Sequence, residues 1–298
     1  AWGMPVRDLL QADGVPADVQ FKNERLSSAI AWIHYRIDTT DVYFLSEPHG
    51  KAVDATAVFR CHGRIPELWD AVDGSIRDAT TFKMVDGCTE LPLQFDPFGS
   101  IFVVFRKAAA GGPNARQRND GPNFPAWQAT QPIAGPWEVT FDKRWGGHEQ
   151  PVRFERLTSW SDHSDPSIRY YSGKAIYRTS FEMKNDPSGI PLAIELGQVK
   201  DVGIARIRLN GTDLGVVWRP PFRVDIREAV LRGDNELEVE VVNSWRNRLI
   251  GERQLPEAKR FLQTNVAVTD QWKLEASGLL GPVRITRSVL RTADHTTN

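Results

Sequence analysis

Between residues 192 and 245, short apolar runs alternate with turn chemistry. The runs 192–196, 204–209, 214–217, 222–226 and 237–242 are separated by Gly197, Asn210-Gly211, Pro220-Pro221 and Gly233-Asp234-Asn235. Asn-Gly between two alternating runs predicts a two-residue hairpin, because both central residues of a type I′ turn need positive φ. In the run 204–209 the outward slots hold Arg206 and Arg208, and Leu237-Glu238-Val239-Glu240-Val241 keeps a strict period of two. One face of each strand is therefore buried and the other wet. Strands this short, at this spacing, predict a β-sandwich.

The same grammar runs through the rest of the chain. Residues 28–36 and 42–45 are β-prone, and 52–60 places Val53, Ala55, Ala57 and Phe59 on one side. Asp86-Gly87 predicts a hairpin joining 80–85 to 89–93, and 101–105 is a continuous apolar run of strand length. These elements make residues 28–107 a first sandwich domain. Residues 108–132 have the Gly, Pro, Asn and Ala content of a linker. A second domain follows over 133–290, opening on the alternation Trp137, Val139, Phe141, with 271–274 and 283–285 as closing strands around a turn at 278–281. Residues 246–251 read as a basic loop, and 291–298 as a mobile tail. Residues 1–27 read as a connecting segment, with Val6, Leu9 and Leu10 on one helical face and a loop after them. Neither an initiator Met nor a basic-then-apolar leader opens the chain, so the expectation is the C-terminal part of a longer protein.

Composition narrows the function classes. A length of 298 residues accommodates two cores, and a net charge of −1 points to neither nucleic acid nor a membrane surface as partner. Cys61 and Cys88 admit one disulfide or two free thiols and are too few for a zinc or redox motif. There is no G-x-S-x-G elbow, no H-E-x-x-H, no phosphate-binding glycine loop, and the six His are scattered. Ten Trp is a high number for one chain; Trp is a natural platform for the apolar face of a sugar, but it is also a large core residue, and the core is the expected place for most of the ten.

The stretch from Asn210-Gly211 through Trp218-Arg219-Pro220-Pro221-Phe222 to Gly233-Asp234-Asn235 and Asn243 resembles the sugar-binding jelly-roll domain of glycoside hydrolase family 2. A longer pattern resembles the C-terminal region of the family 106 α-L-rhamnosidases. It adds Tyr171-Ser172-Gly173, Leu196-Gly197, Asn247-Arg248-Leu249-Ile250-Gly251 and Ser277-Gly278-Leu279-Leu280-Gly281-Pro282. Upstream, Phe59-Arg60, Glu67-Leu68-Trp69 and the run 99–105 match the preceding module, so the resemblance spans about residues 30 to 286. It implies an all-β chain of two β-sandwich domains, the second a galactose-binding-like jelly roll. It also implies a periplasmic or secreted protein, an upstream catalytic domain in the same polypeptide, and a structural calcium as the sole candidate cofactor.

Glycosidic hydrolysis needs two carboxylates flanking the scissile bond. The resemblance assigns these to an upstream barrel, so no catalytic residue is expected in this chain. Carbohydrate contacts are expected on loops at one end of the second sandwich. Trp218 and Arg219 put a stacking plane and a planar donor on a proline-stiffened turn, and Trp245, Asn247 and Arg248 repeat the theme. Tyr171 and Trp160 flank a polar loop and complete the candidates. For Trp218 the competing role is capping the core; for Asn247 and Arg248 it is tying the following loop to the sandwich. Three readings remain: a non-catalytic accessory region of a rhamnosidase-like glycoside hydrolase, an autonomous carbohydrate-binding module, or a β-sandwich polysaccharide-degrading enzyme. The last has the weakest footing, since Tyr170, Tyr171, His163 and Arg169 form no lyase spacing.

Overall fold

The computed structural model describes residues 3–289 except 24, 27, 28, 110–115, 119, 120, 185, 186, 188 and 190. The tail 291–298 lies outside the described residues. The chain forms two compact units, one up to Ala126 and one from Trp127 to Val289.

The first unit contains helix α1 (Val6–Ala12) and strands β1 (Val19–Phe21), β2 (Ala31–Ile37), β3 (Thr40–Ser46), β4 (Val53–Phe59), β5 (Arg64–Trp69), β6 (Ile76–Asp78), β7 (Thr81–Val85), β8 (Cys88–Phe95), β9 (Ser100–Ala108) and β10 (Arg116–Arg118). They build two antiparallel five-stranded sheets, ordered β1-β4-β8-β7-β10 and β2-β3-β9-β5-β6. The alternation read from the sequence supplies the core: Ala57, Phe59, Leu91 and Phe95 from one sheet meet Tyr43, Leu45, Val103 and Phe105 from the other. Asp86 and Gly87 both have positive φ, as the predicted hairpin requires.

The second unit contains β11 (Ala126–Pro132), β12 (Trp137–Phe141), β13 (Val152–Phe154), α2 (Pro166–Arg169), β14 (Lys174–Met183), β15 (Leu192–Glu195), β16 (Gln198–Lys200), β17 (Ile204–Leu209), β18 (Thr212–Val217), β19 (Arg223–Asp225), β20 (Gly233–Val242), α3 (Arg246–Arg253), β21 (Gly278–Gly281) and β22 (Arg284–Val289). A six-stranded sheet, β13-β12-β14-β20-β17-β18, faces a four-stranded one, β11-β22-β15-β19, and β16 pairs with β21. The inner row Val139–Tyr177–Val239–Ile207 is fully buried, against Ile194, Leu279 and Ile285. On the outer face one cross-strand row reads Arg153–Glu138–Arg178–Glu238–Arg208–Asp213, alternating in sign over all six strands. Glu238 binds Arg178 at 2.8 Å and Arg208 at 2.6 Å. This is the wet face that the period of two requires, and both units are β-sandwiches.

Several sequence expectations change. Residues 19–21 are a strand rather than a loop: β1 pairs with 57–59 of β4 and buries Val19 and Phe21. Three residues are too few to show a period. The linker stretch contains β10, on β7, and β11, on β22, both at sheet edges where polar sequence is tolerated. Residues 278–281 are a strand rather than a turn, and 271–274 form no strand. Cys61 and Cys88 are free thiols; burial pushes the Cys61 thiol up to about 12, so it stays protonated.

Candidate functional site

Strand register gathers the loops of the second unit. Phe141, at the end of β12, pairs with Ala175, and Lys174 pairs with Val242 at the end of β20. Val242 pairs with Ile204, and Ala205 pairs with Val217 at the end of β18. The segments leaving β12, β20 and β18 therefore emerge at one end of the six-stranded sheet, carrying Trp145, Trp245 and Trp218.

Two of these rings meet. Trp145 and Trp245 stand edge to face with centroids 5.4 Å apart and planes at 73°, and Phe261 continues the cluster 6.1 Å from Trp145. All three stay exposed, by 39%, 44% and 51%. Each is held by local chemistry. Asp142 accepts from the Arg144 backbone N–H and starts the 3-10 turn 143–145, which ends at Gly146 with φ 67°. The left-handed conformation at Gly146 suits glycine, and a methyl group there would lie 2.7 Å from Arg248 Nη2 and push that guanidinium aside.

Arg248 crosses the Phe261 ring at 4.8 Å and donates Nε to Glu252 Oε1 at 2.7 Å. Glu252 Oε2 in turn accepts from the Leu262 N–H at 2.8 Å, which fixes the loop bearing Phe261. Arg246 stacks over Trp272 at 4.7 Å and pairs with Glu275 at 3.3 Å. The cluster thus offers two exposed, mutually perpendicular indole surfaces ringed by guanidinium and carboxylate groups. Such a notch can stack on the apolar face of a pyranose while the polar rim meets its hydroxyls.

The sequence candidates divide. Trp245 and Arg248 lie in the cluster. Trp218 is 49% exposed at the same end, just after β18, itself two strands from β20, and leads into a turn in which Phe222 N–H donates to Arg219 O and the Pro220–Pro221 peptide is cis. Arg219 is half-buried and donates Nη1 to Pro220 O at 3.3 Å. Asn247 is fully buried; its amide spans Glu275, donating to the carbonyl and accepting from the N–H, both at 2.8 Å. It therefore takes the tying role, fastening α3 to the segment that precedes β21.

Trp160 and Tyr171 are corrections. Both are fully buried core residues and offer no ring to a ligand. Trp160 donates Nε1 to Tyr177 Oη at 2.5 Å, and Tyr171 Oη donates to Lys174 O at 2.7 Å. Burial pushes the Tyr171 hydroxyl up to about 12. Trp145 and Phe261 were missed. Trp145 followed by two glycines after an Asp cap was the available signal for the first; nothing local marks the second.

Four carboxylates near the cluster are ion-paired: Asp142 with Arg144, Glu252 with Arg248, Glu275 with Arg246 and Asp270 with Arg253, while Asp201 accepts from the Ser244 N–H and hydroxyl. Hydrogen bonds from Arg144 and Arg253 hold Asp142 and Asp270 below the usual carboxylate range, the opposite of what a general acid needs. For calcium, Asp162, His163 and Asp165 do not converge. Asp165 caps α2, and His163 Nδ1 accepts from the Asp165 N–H while its ring stacks on Phe154. Among the described residues no three His, Cys, Asp or Glu side chains are grouped to hold a metal, and no helix is long and apolar enough to cross a membrane.

Residues 1–84 match the α-L-rhamnosidase family, glycoside hydrolase family 106. The rhamnosidase of Novosphingobium sp. PP1Y superposes on 95% of this chain with a TM-score of 0.81 and 32% identity, and this chain spans 26% of that one. A provisionally assigned β-glucuronidase of Formosa agariphila is 37% identical over 183 residues, which are 52% of this chain and 16% of that protein. The chain thus spans 26% and 16% of the length of these two relatives, and it is related to the glycoside hydrolases, with the rhamnosidase resemblance extending through both sandwiches.

Proposed function

We propose that this chain is the non-catalytic accessory region of a rhamnosidase-like glycoside hydrolase, in which the second unit has a galactose-binding-like jelly-roll fold and contacts carbohydrate. The observation that carries the reading is the near-complete match to a rhamnosidase by a chain spanning only 26% of it. Paired carboxylates at the loop end support the absence of hydrolytic chemistry there. The reading includes an upstream catalytic domain in the same polypeptide, which the two sandwiches buttress, and a periplasmic or secreted setting, as in the family resemblance.

The carbohydrate contact is assigned to Trp145, Trp245 and Phe261, with Arg248 and Arg246 at the rim and Trp218 beside them. Affinity electrophoresis through gels containing rhamnose-bearing polysaccharide tests it. Retardation of this chain, lost in Trp145→Ala and in Trp245→Ala, is the expected result. Equal mobility of parent and variants in every gel would remove the carbohydrate contact.

The alternative of an autonomous binding module draws on the same exposed rings. It differs in requiring no partner for the first unit, whose surface argues against it.

A further inference from the structure

The two sandwiches differ in what their outer sheet faces show to solvent. In the second unit the outward row of the six-stranded sheet is charged throughout. In the first unit the outward row of the sheet β2-β3-β9-β5-β6 is Ile33–Phe44–Phe102–Trp69–Ile76, apolar across all five strands. Its ends are exposed, Ile33 by 45% and Ile76 by 53%, and its centre is half-exposed. Phe44 and Phe102 pack with ring centroids 4.8 Å apart and planes tilted by 48°. The next row begins Tyr35–Val42–Val104, of which Tyr35 is 59% exposed, Val42 half-buried and Val104 buried.

That row continues through Glu67 on β5 to Asp78 on β6, and both charges are answered. Glu67 is fully buried and accepts from Trp69 Nε1 at 2.9 Å and Arg106 Nε at 3.0 Å, with Lys107 Nζ at 3.2 Å. Asp78 pairs with Lys107 Nζ at 2.7 Å, so both carboxylates of this row are ion-paired. Helix α1 of the same unit also leaves Val6, Leu9 and Leu10 exposed. A solvated antiparallel sheet face is polar, and a contiguous apolar one marks a contact.

We propose that this sheet face is the surface on which the catalytic region of a rhamnosidase-like polypeptide docks. The proposal rests on the accessory reading above and names the surface that reading leaves open. Two observations select the occupant. The α-L-rhamnosidase match covers residues 1–84, which hold four of the five strands of this face and stop before the unit whose outer face is charged. The rhamnosidase that this chain matches has three quarters of its length outside the matched part.

Hydroxyl-radical footprinting tests the surface. It compares this chain alone with the chain joined to the polypeptide that precedes it in its reading frame. Joining should reduce labelling of Tyr35, Phe44 and Trp69 several-fold. The variant Ile33→Lys/Ile76→Lys alters only exposed positions and should restore the labelling in the joined form. Unchanged labelling in a joined form that hydrolyses an aryl α-L-rhamnoside would overturn the docking surface and leave the accessory reading standing. A reading frame beginning at this chain, or hydrolysis by this chain alone, would overturn both. Protection that instead rises with the concentration of the isolated chain, alongside a dimer in sedimentation, would assign the face to a second copy and overturn the proposal.

Discussion

Trp160 and Trp245 share a side chain and have opposite environments. Trp160 is fully buried against Phe141, Tyr171 and Tyr177, whereas Trp245 touches Trp145 and keeps 44% of its surface exposed. Trp160→Ala should destabilise the second unit by about 3–5 kcal/mol, as truncating a buried aromatic does. Trp245→Ala should cost less than about 1 kcal/mol, as for surface positions, and act on glycan retention instead. Urea unfolding of the two variants checks the contrast; equal losses would mean that Trp245 is a core residue. The distinction was not legible in the sequence, because both residues sit in polar surroundings along the chain. What separates them is register: Trp160 N–H donates to the Ser277 carbonyl, and the hydroxyl of the preceding Ser159 accepts from the Ser277 N–H, 118 positions away. Asn247 shows the same limit, its buried role depending on Glu275 across a long loop.

At the scale of elements, period and turn chemistry were enough for many strands of five or more residues, though not for the seven-residue β11, whose polar edge sequence reads as linker. Residues 204–209, 237–242 and 137–141 fall within strands, and Asn210 and Gly211 have φ of 51° and 80°, as the hairpin predicts. Short elements escaped, and so did α3, whose sequence RNRLIGER has no clear apolar stripe and is held by Asn247 and the Arg248–Glu252 pair. Two glycines with positive φ should respond differently to substitution. At Gly211 an added methyl meets open space, so Gly211→Ala should cost about 1 kcal/mol of backbone strain alone. At Gly197 it would stand 2.7 Å from Pro282 N and closer still to the Gly281 carbonyl, so Gly197→Ala should cost several-fold more and part β16 from β21. Thermal unfolding ranks them, and similar losses would contradict the close approach of 197 and 281.

Glu67 ties β5 to β9 through a charge. Burial raises its pKa, but hydrogen bonds from Arg106, Trp69 and Lys107 outweigh burial and hold it below the usual carboxylate range. A depressed carboxylate stabilises the fold above its unfolded pKa of about 4.3, and that contribution is lost as pH falls through the folded value. Acid should therefore weaken the first unit below about pH 4, and Glu67→Gln should flatten the dependence. Equal slopes of unfolding free energy against pH in parent and variant would show that other groups carry it.

For the whole molecule, the two-sandwich plan and the glycoside hydrolase kinship were readable from the order of short words along the chain. The aromatic cluster was half readable. Trp245 and Arg248 stand in or beside recognisable motifs, while Trp145 and Phe261 join them only through the folding of separate loops. The apolar outer face of the first unit was invisible, since its row is assembled from five strands and each contributes one residue. That face also separates the readings of function, because a free binding module has no use for it. The most direct measurement is hydrolysis of an aryl α-L-rhamnoside by this 298-residue chain, beside the same chain joined to the sequence preceding it. Turnover only in the joined form is the result predicted for an accessory region. Turnover by the chain alone would contradict it and direct mutagenesis to the Asp and Glu residues of the second unit.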